Sequence, residues 1–265
     1  MESSPRNAAE NAVEKIKKHL YTATVNQLRP DFEKGGFGAV GSRVLETAHI
    51  NPRYVLEETD AELFKESRLR LQKEAGLIIA NHPGHYDTYL ILNTLNRNDV
   101  KIVVSEENYD VLSTKLGSES FIKATRDPRE ALSFLREIKG HIEEGGVVIL
   151  YPSGGGEKDG DFSFEPGFAA IIKRCLQPND MVYTFAIEPG SHDQAAQDKM
   201  RAVGAASSII SNDFINPNKN KDDMTIAVHE KYTSAEQWHQ ALEGTTSDSR
   251  EANLTQFFKQ QMSES

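Results

Sequence analysis

The sequence predicts an α/β fold: a mostly parallel mixed sheet flanked by helices, with an N-terminal helical extension. Short apolar runs alternate with amphipathic runs along the middle of the chain, a pattern typical of a parallel sheet covered on both faces. Polar, chemically rich loops follow two of the apolar runs, and ligands bind at the carboxyl ends of strands in such sheets. We expect residues 1–70 to form a helical segment that packs on an α/β domain of residues 71–265.

The N-terminal segment predicts helices. Residues 7–29 place apolar side chains at spacings of three and four, which indicates an amphipathic helix. Pro30 is expected to end this helix. The stretch GGFGAVG at 35–41 indicates a flexible or tightly turned link, and residues 59–74 indicate a second, exposed helix.

The core elements follow from apolar runs and their boundaries. The predicted strands are 76–80, 100–105, 120–124, 147–151, 181–187 and 224–232. The predicted helices are 88–97, 106–117, 127–144, 167–176, 234–243 and 249–262. Asp127 is expected to cap the helix at 127–144, with Pro128 as its first helical residue. Residues 190–223 are polar and irregular, which indicates a surface excursion or an insertion.

Composition excludes several classes of protein. Among 265 residues, 40 are acidic and 30 basic, so the net charge of −10 argues against a broad surface for nucleic acid. The single cysteine, Cys175, cannot form a disulfide within the chain and fits a reducing compartment. Its apolar neighbours favour a buried structural side chain over a nucleophile. Without a signal-peptide core or an apolar run of about 20 residues, we expect a cytoplasmic protein without a transmembrane segment. Peripheral membrane contact stays open.

The first chemically rich loop is NHPGHYD, at 81–87. A turn through its proline and glycine can fold the Asp87 carboxylate back onto His82, which would orient the imidazole as a general base for a hydroxyl. Asp87 could instead cap a helix that starts near Thr88, and His82 could be a plain turn residue. His85 fits a rim or packing position better than a base. A metal held by His82, His85 and Asp87 is a further reading, although no recognisable cluster supplies more ligands.

Two further loops follow predicted strands. PSGGGEKDGD at 152–161 contains Ser153, but Tyr151 stands where the G-x-S-x-G motif of a nucleophile elbow needs glycine. The successive glycines can expose backbone amides to an oxyanion or phosphate, or can form an ordinary flexible turn. KATRDPR at 123–129 adds three basic side chains.

Together these blocks resemble the glycerolipid acyltransferases. The family's His-x4-Asp motif, preceded by asparagine, corresponds to Asn81, His82 and Asp87, and SFIKATR at 120–126 matches a second block. Pro-Ser-Gly-Gly at 152–155 is similar to the third block of the soluble plastid-type glycerol-3-phosphate acyltransferases, and VYTFAIEP at 182–189 matches the fourth. The blocks keep their order over residues 76–189. Gly156 departs from the family pattern, which has arginine there.

The resemblance implies a mechanism without a cofactor. His82 would deprotonate the hydroxyl of glycerol 3-phosphate or a related small acceptor, with Asp87 orienting it. The alkoxide would attack an acyl thioester of CoA or acyl carrier protein, the co-substrate, and backbone amides would stabilise the oxyanion. The implied substrate-binding residues are Lys123, Arg126, Ser153, Gly154, Gly155 and Lys158. No metal is implied.

The sequence leaves several alternatives open. The acceptor could be a lysophospholipid or an unphosphorylated alcohol or amine. The same loop would serve a thioesterase or a metal-assisted hydrolase, and a non-catalytic acyl-binding protein could keep the fold. A carrier-protein partner could dock on a basic cluster, or that cluster could be a solvated helix face. This cluster comprises Lys123, Arg126, Arg129, Arg136 and Lys139.

Overall fold

The computed structural model describes residues 5–56, 66, 68–83, 86–95, 97–154, 162–188 and 224–263, with side chains from residue 22 onward except at 56, 224, 262 and 263. In this part of the chain, seven strands form one sheet in the order β1-β7-β6-β2-β5-β3-β4. The strands are β1 (Ile50–Leu56), β2 (Gly76–Ala80), β3 (Val100–Val104), β4 (Phe121–Lys123), β5 (Val147–Leu150), β6 (Met181–Ile187) and β7 (Met224–Ser234). The predicted mixed α/β sheet is confirmed.

The sheet is parallel except at β7. Strand β2 pairs in parallel with β5 on one side and with β6 on the other. β3 pairs in parallel with β5 and β4, whereas β7 runs antiparallel to β6. All five residues of β2 are buried, as expected of a strand that lies fourth in a sheet of seven.

Helices connect and flank the strands. Their bounds are α1 (Pro5–Thr47), α2 (Asp87–Thr94), α3 (Glu106–Leu116), α4 (Ala131–Glu143), α5 (Phe168–Cys175), α6 (Ala235–Ala241) and α7 (Arg250–Ser263). A 3₁₀ turn covers Ser118–Ser120, and Arg68–Leu71 are helical. Within the described part of the chain, no helix is both long and apolar enough to cross a bilayer.

Helix α1 corrects the prediction for the N-terminal segment. Pro30 lies inside the helix instead of ending it, and the interruption comes at Gly35 and Gly36. Gly36 has φ of 62°, a left-handed conformation that glycine adopts without steric cost. The predicted link at 35–41 is therefore a kink of two residues, after which the helix resumes. Proline removes one hydrogen bond and strains the preceding turn but need not terminate a helix that has other contacts.

A helix start and an unpredicted strand are further differences from prediction. Helix α4 begins at Ala131 and not at Asp127, because residues 127–130 form a turn in which Asp127 Oδ1 accepts the N–H of Arg129 at 2.9 Å. Strand β1 does not appear among the predicted strands. It contains Pro52 and lies at one edge of the sheet, the position where strands tolerate proline.

The described residues divide into two compact units. One comprises residues 5–52, 86–94 and 224–226, and the other 53–56, 66, 68–83, 95, 97–154, 162–188 and 227–263. In the first, α1 packs on α2 so closely that a methyl group at Gly41 would meet the backbone of Asn93 and Tyr89 at 2.7 and 2.9 Å. Ser42 Oγ also donates to Asn93 Oδ1 at 2.8 Å.

The second unit carries most of the sheet and the main core. Leu77 and Ile79 of β2 face a cluster to which β5, β6 and helices α4 to α7 contribute, including the fully buried Trp238. Cys175 belongs to this cluster, and burial raises the pKa of its thiol to about 11. The prediction of a buried structural cysteine is thus confirmed, since a nucleophilic cysteine needs a lowered pKa.

The amino-terminal edge of the sheet is held by Arg97. Its side chain is 6% exposed, and the guanidinium donates to the carbonyl oxygens of Leu71, Glu74 and Gly145 at 3.0, 2.6 and 2.8 Å. It also makes two hydrogen bonds to the carboxylate of Asp99, at 2.6 and 2.7 Å. One side chain therefore ties together the loops that precede β2, β3 and β5.

Candidate active site

The candidate site begins where the central strand ends. β2 stops at Ala80, and Asn81 and His82 follow it directly. Since β5 and β6 lie on either side of β2 and run parallel to it, their carboxyl ends lie at the same edge of the sheet. This edge is where parallel α/β sheets bind ligands.

Asn81 fixes the backbone on which His82 stands. Its Nδ2 donates to the carbonyl oxygen of Ile187 at 2.9 Å, and its Oδ1 accepts the N–H of the same residue at 2.7 Å. Its own N–H donates to the carbonyl oxygen of Phe185 at 3.3 Å. The amide side chain thus continues the β2–β6 pairing past the last residue of β2. It holds the first loop residue to the end of β6.

The imidazole of His82 stacks on the ring of Tyr151. The ring centroids are 4.5 Å apart and the ring planes meet at 29°, a stacked arrangement. Both side chains are half-buried. Tyr151 directly follows β5, whose Leu150 pairs with Ile79 of β2, so two adjacent strands deliver the two rings. The contact leaves the imidazole partly exposed, as a base that meets a substrate must be.

The loop after β5 begins with a tight turn. The N–H of Gly154 donates to the carbonyl oxygen of Tyr151 at 3.1 Å, and Gly154 has φ of 66°. The N–H of Glu165 donates to the carbonyl oxygen of Pro152 at 2.8 Å, which closes the loop at its far end. Ser153 is half-buried in this turn. The backbone N–H of Gly154 thus already has a hydrogen-bond acceptor within the turn.

Asp87 is the first residue of α2 and is 1% exposed. The helix starts one residue earlier than predicted, because the N–H of Leu90 donates to the carbonyl oxygen of Tyr86 at 3.0 Å. Asp87 therefore lies in the first helical turn and not at the cap position. A carboxylate in the first turn interacts favourably with the helix dipole. Asp87 belongs to the first compact unit and His82 to the second.

Lys123 and Arg126 lie at the far side of the sheet. Lys123 ends β4, the edge strand, which is three strand spacings, about 14 Å, from β2. Its ammonium contacts Glu106 at 3.1 Å and Glu130 at 4.0 Å. The hydrogen bond to Glu106 raises the pKa of Lys123. Arg126 is exposed in the loop that follows.

The remaining predicted site residues lie outside the described part of the chain: His85, Gly155 and Lys158. Among the residues that are described, no group of three or more His, Cys, Asp or Glu side chains is arranged to hold a metal ion.

The contributions of Asn81 and Tyr151 do not follow from the local sequence. Asn81 stands out there only as part of a motif, because the partner of its side chain lies 106 residues away. Tyr151 stands out only as the residue that breaks a serine motif. One signal was available, because an aromatic residue at the end of a strand adjacent to β2 must lie beside the loop after β2.

Comparison with known proteins finds a family match over part of the chain. Residues 58–188 match the family model described as Acyltransferase, a segment that contains β2 to β6 and the side chains of the candidate site. No curated protein matches the chain. Among solved structures, the chain is similar to the crystal structure of the 1-acyl-sn-glycerophosphate acyltransferase PlsC from Thermotoga maritima. The two share 13% identity over 94% of each chain, with a TM-score of 0.48.

Proposed function

We propose that this chain, of which residues 58–188 match the Acyltransferase family model, is an acyltransferase that moves an acyl group from a thioester to a hydroxyl of glycerol 3-phosphate or a related small acceptor. The observation that carries the proposal is the placement of His82. Within the family segment, it directly follows the Asn81 anchor at the end of the central strand and stacks on Tyr151. A half-buried imidazole on a fixed backbone suits a general base.

The proposed reaction proceeds by direct transfer. His82 takes the proton of the acceptor hydroxyl as its oxygen attacks the carbonyl carbon of the thioester. The tetrahedral intermediate then collapses, the carbon–sulfur bond breaks, and protonated His82 returns its proton to the sulfur, so that CoA or acyl carrier protein leaves as the free thiol. We assign the oxyanion donors to backbone amides of the loop after β5, but not to Gly154, whose N–H is already bonded to Tyr151. This route needs no acyl-enzyme.

Asp87 is proposed to orient His82. Its spacing of five positions from His82 agrees with the His-x4-Asp motif, and a carboxylate at an imidazole nitrogen fixes the tautomer that leaves the other nitrogen free to accept a proton. Asp87→Asn keeps the size of the side chain but removes its charge. We therefore expect it to lower kcat strongly, with little change in the melting temperature.

The acceptor phosphate is proposed to bind the basic residues Lys123, Arg126 and Lys158. Of the two described, Arg126 is exposed, whereas Lys123 already contacts two glutamates. We therefore expect Arg126→Ala to raise KM for a phosphorylated acceptor more than Lys123→Ala does. An unchanged KM in both variants would remove these two side chains from the acceptor site.

The first test measures free thiol released from acyl-CoAs and acyl-loaded carrier proteins. Each donor is offered with glycerol 3-phosphate, a lysophospholipid or no acceptor. His82→Ala is compared with His239→Ala, which removes a half-buried imidazole from α6 whose Nε2 lies 3.2 Å from the carbonyl oxygen of Leu176. We expect acceptor-dependent release that is lost in His82→Ala and kept in His239→Ala.

The other outcomes discriminate the alternatives. Release that needs His82 but no acceptor would indicate a thioesterase. Inhibition by a chelator would indicate metal-assisted hydrolysis. Loss of activity in Ser153→Ala with accumulation of an acyl-enzyme in the wild type would replace direct transfer by a serine nucleophile. Full activity of His82→Ala would refute the mechanism.

A further inference from the structure

We propose that Tyr151 is a positioning residue that acts through His82, holding the imidazole by its face in the orientation that accepts the acceptor's proton. The inference deepens the proposed function and rests on it. It assigns a role to the aromatic residue at the start of the loop after β5, whose ring need not touch the substrate.

The geometry supports a restraint on the ring. Backbone contacts of Asn81 fix the residue before His82, but they leave the two side-chain torsions of the histidine undetermined. The stacked ring of Tyr151, with its centroid at 4.5 Å, limits rotation about both torsions. A general base must lie within about 2.6–3.2 Å of its proton donor, so a small rotation of the ring would break the reactive geometry.

Tyr151 is itself held in place. It is attached to β5, a buried strand paired with both β2 and β3. Its carbonyl oxygen accepts the N–H of Gly154, and the next residue, Pro152, is buried and bonded through its carbonyl oxygen to the N–H of Glu165. The support for the catalytic ring is therefore a short turn on a rigid strand, which suits precise positioning.

The face of the ring, and not the hydroxyl group, carries this role. Tyr151→Phe keeps the stack, whereas Tyr151→Leu and Tyr151→Met replace it with flexible apolar side chains. Misplacement of a catalytic group by about 1 Å can cost about 100-fold in rate. We expect kcat of the Leu and Met variants to fall by about that factor, with KM for donor and acceptor unchanged. Tyr151→Phe should restore most of the lost rate.

The first measurement is independent of turnover. A proton that lies over an aromatic face resonates upfield because of the ring current. The His82 ring protons, assigned by their absence in His82→Ala, should therefore be shifted upfield in the wild type and in Tyr151→Phe. They should move downfield in Tyr151→Leu. Unchanged His82 resonances in Tyr151→Leu would show that the two rings do not stack and would overturn the inference.

The second measurement is steady-state kinetics of the same variants, with Tyr109→Leu as a control that removes a half-buried tyrosine from α3. Melting temperatures identify any variant that loses rate by unfolding, and Tyr151→Met serves if Tyr151→Leu does so. A wild-type kcat in Tyr151→Leu, or a loss confined to KM, would overturn the positioning role alone. Absence of His82-dependent turnover in the wild type would refute the proposed function, and this role with it.

Discussion

Removal of the Asn81 side chain tests whether the anchor of the catalytic loop matters for stability and for chemistry. Asn81→Ala deletes two hydrogen bonds, of 2.9 and 2.7 Å, to the backbone of Ile187, which is 2% exposed. A buried polar group left without its partner costs about 1–3 kcal/mol. Asn81 is only half-buried, so water can replace part of the loss. We expect unfolding to become easier by about 2–3 kcal/mol in total.

The same variant should lose rate while folded. Asn81→Ala frees the backbone before His82, so kcat measured well below the melting temperature should fall by about 100-fold. KM should change little because Asn81 bonds only to backbone in the described structure. Asn253→Ala on α7 is a suitable control, since Asn253 is exposed and surface substitutions usually change stability by less than about 0.5 kcal/mol.

Asn81→Asp separates the donor from the acceptor. The carboxylate keeps an acceptor for the N–H of Ile187 but faces that residue's carbonyl oxygen without a proton to donate. At neutral pH this variant should be destabilised at least as much as Asn81→Ala. The deficit should shrink in acid, where the protonated carboxyl group can donate. Wild-type denaturation curves and a kcat within twofold of wild type for both variants would refute the anchoring argument.

Three further predictions concern stability, each read from denaturation curves. Arg97→Met leaves three backbone carbonyl oxygens without the guanidinium as donor and should lower the free energy of unfolding by about 3–5 kcal/mol. Hydrogen bonding by Arg97 lowers the pKa of Asp99 in the folded protein, so the stability from this pair is present above about pH 4 and is lost as pH falls through the lowered pKa. The difference in unfolding free energy between wild type and Arg97→Met should therefore narrow in acid. A difference that does not change with pH would contradict this argument. His49, just after α1, has φ of 58°, a conformation that glycine adopts easily and a β-branched residue does not. His49→Gly should therefore be neutral or stabilising by up to about 1 kcal/mol, and His49→Val should be destabilising. A Val variant more stable than the Gly variant would exclude backbone strain at this position. Gly76→Ala places a methyl group against the backbone carbonyl of Met181 and should prevent normal folding. A native-like melting curve would show that β2 and β6 can move apart at this pair.

The strands of the centre were predictable because each is a short apolar run with polar or glycine boundaries. The run at 181–187 matches β6 at both ends, and the run at 76–80 matches β2. Alternation of such runs with helices was enough to predict a mostly parallel sheet. Strand β1 was missed because it contains a proline and lies at an edge of the sheet. Residues 51–55 are exposed or half-buried there, so the strand has no run of apolar residues to reveal it.

The parts that escaped prediction depend on partners distant in sequence. Glu230 on β7 receives two hydrogen bonds from Arg68 and one from the hydroxyl of Tyr183, and the first pair is separated by 162 residues. The stack of Tyr151 on His82 and the hydrogen bonds of Asn81 to Ile187 likewise join residues that lie far apart in the sequence. A local pattern identifies which residues carry chemistry, but only the strand order determines which side chains hold them.

The position of β2 in the sheet also affects how the protein is made. Its apolar stretch leaves the ribosome before both of its partner strands, which begin 71 and 105 residues later, as the pairing of Gly76 with Val147 and Met181 shows. At synthesis rates of about 5–20 residues per second, the stretch waits roughly 5–20 s for its second neighbour. During that interval at least one edge of the β2 segment lacks its partner strand, the condition in which chains associate wrongly. Nascent chains that stop before β6 should therefore aggregate, whereas chains that extend past β6 can pair both edges of β2 with β5 and β6.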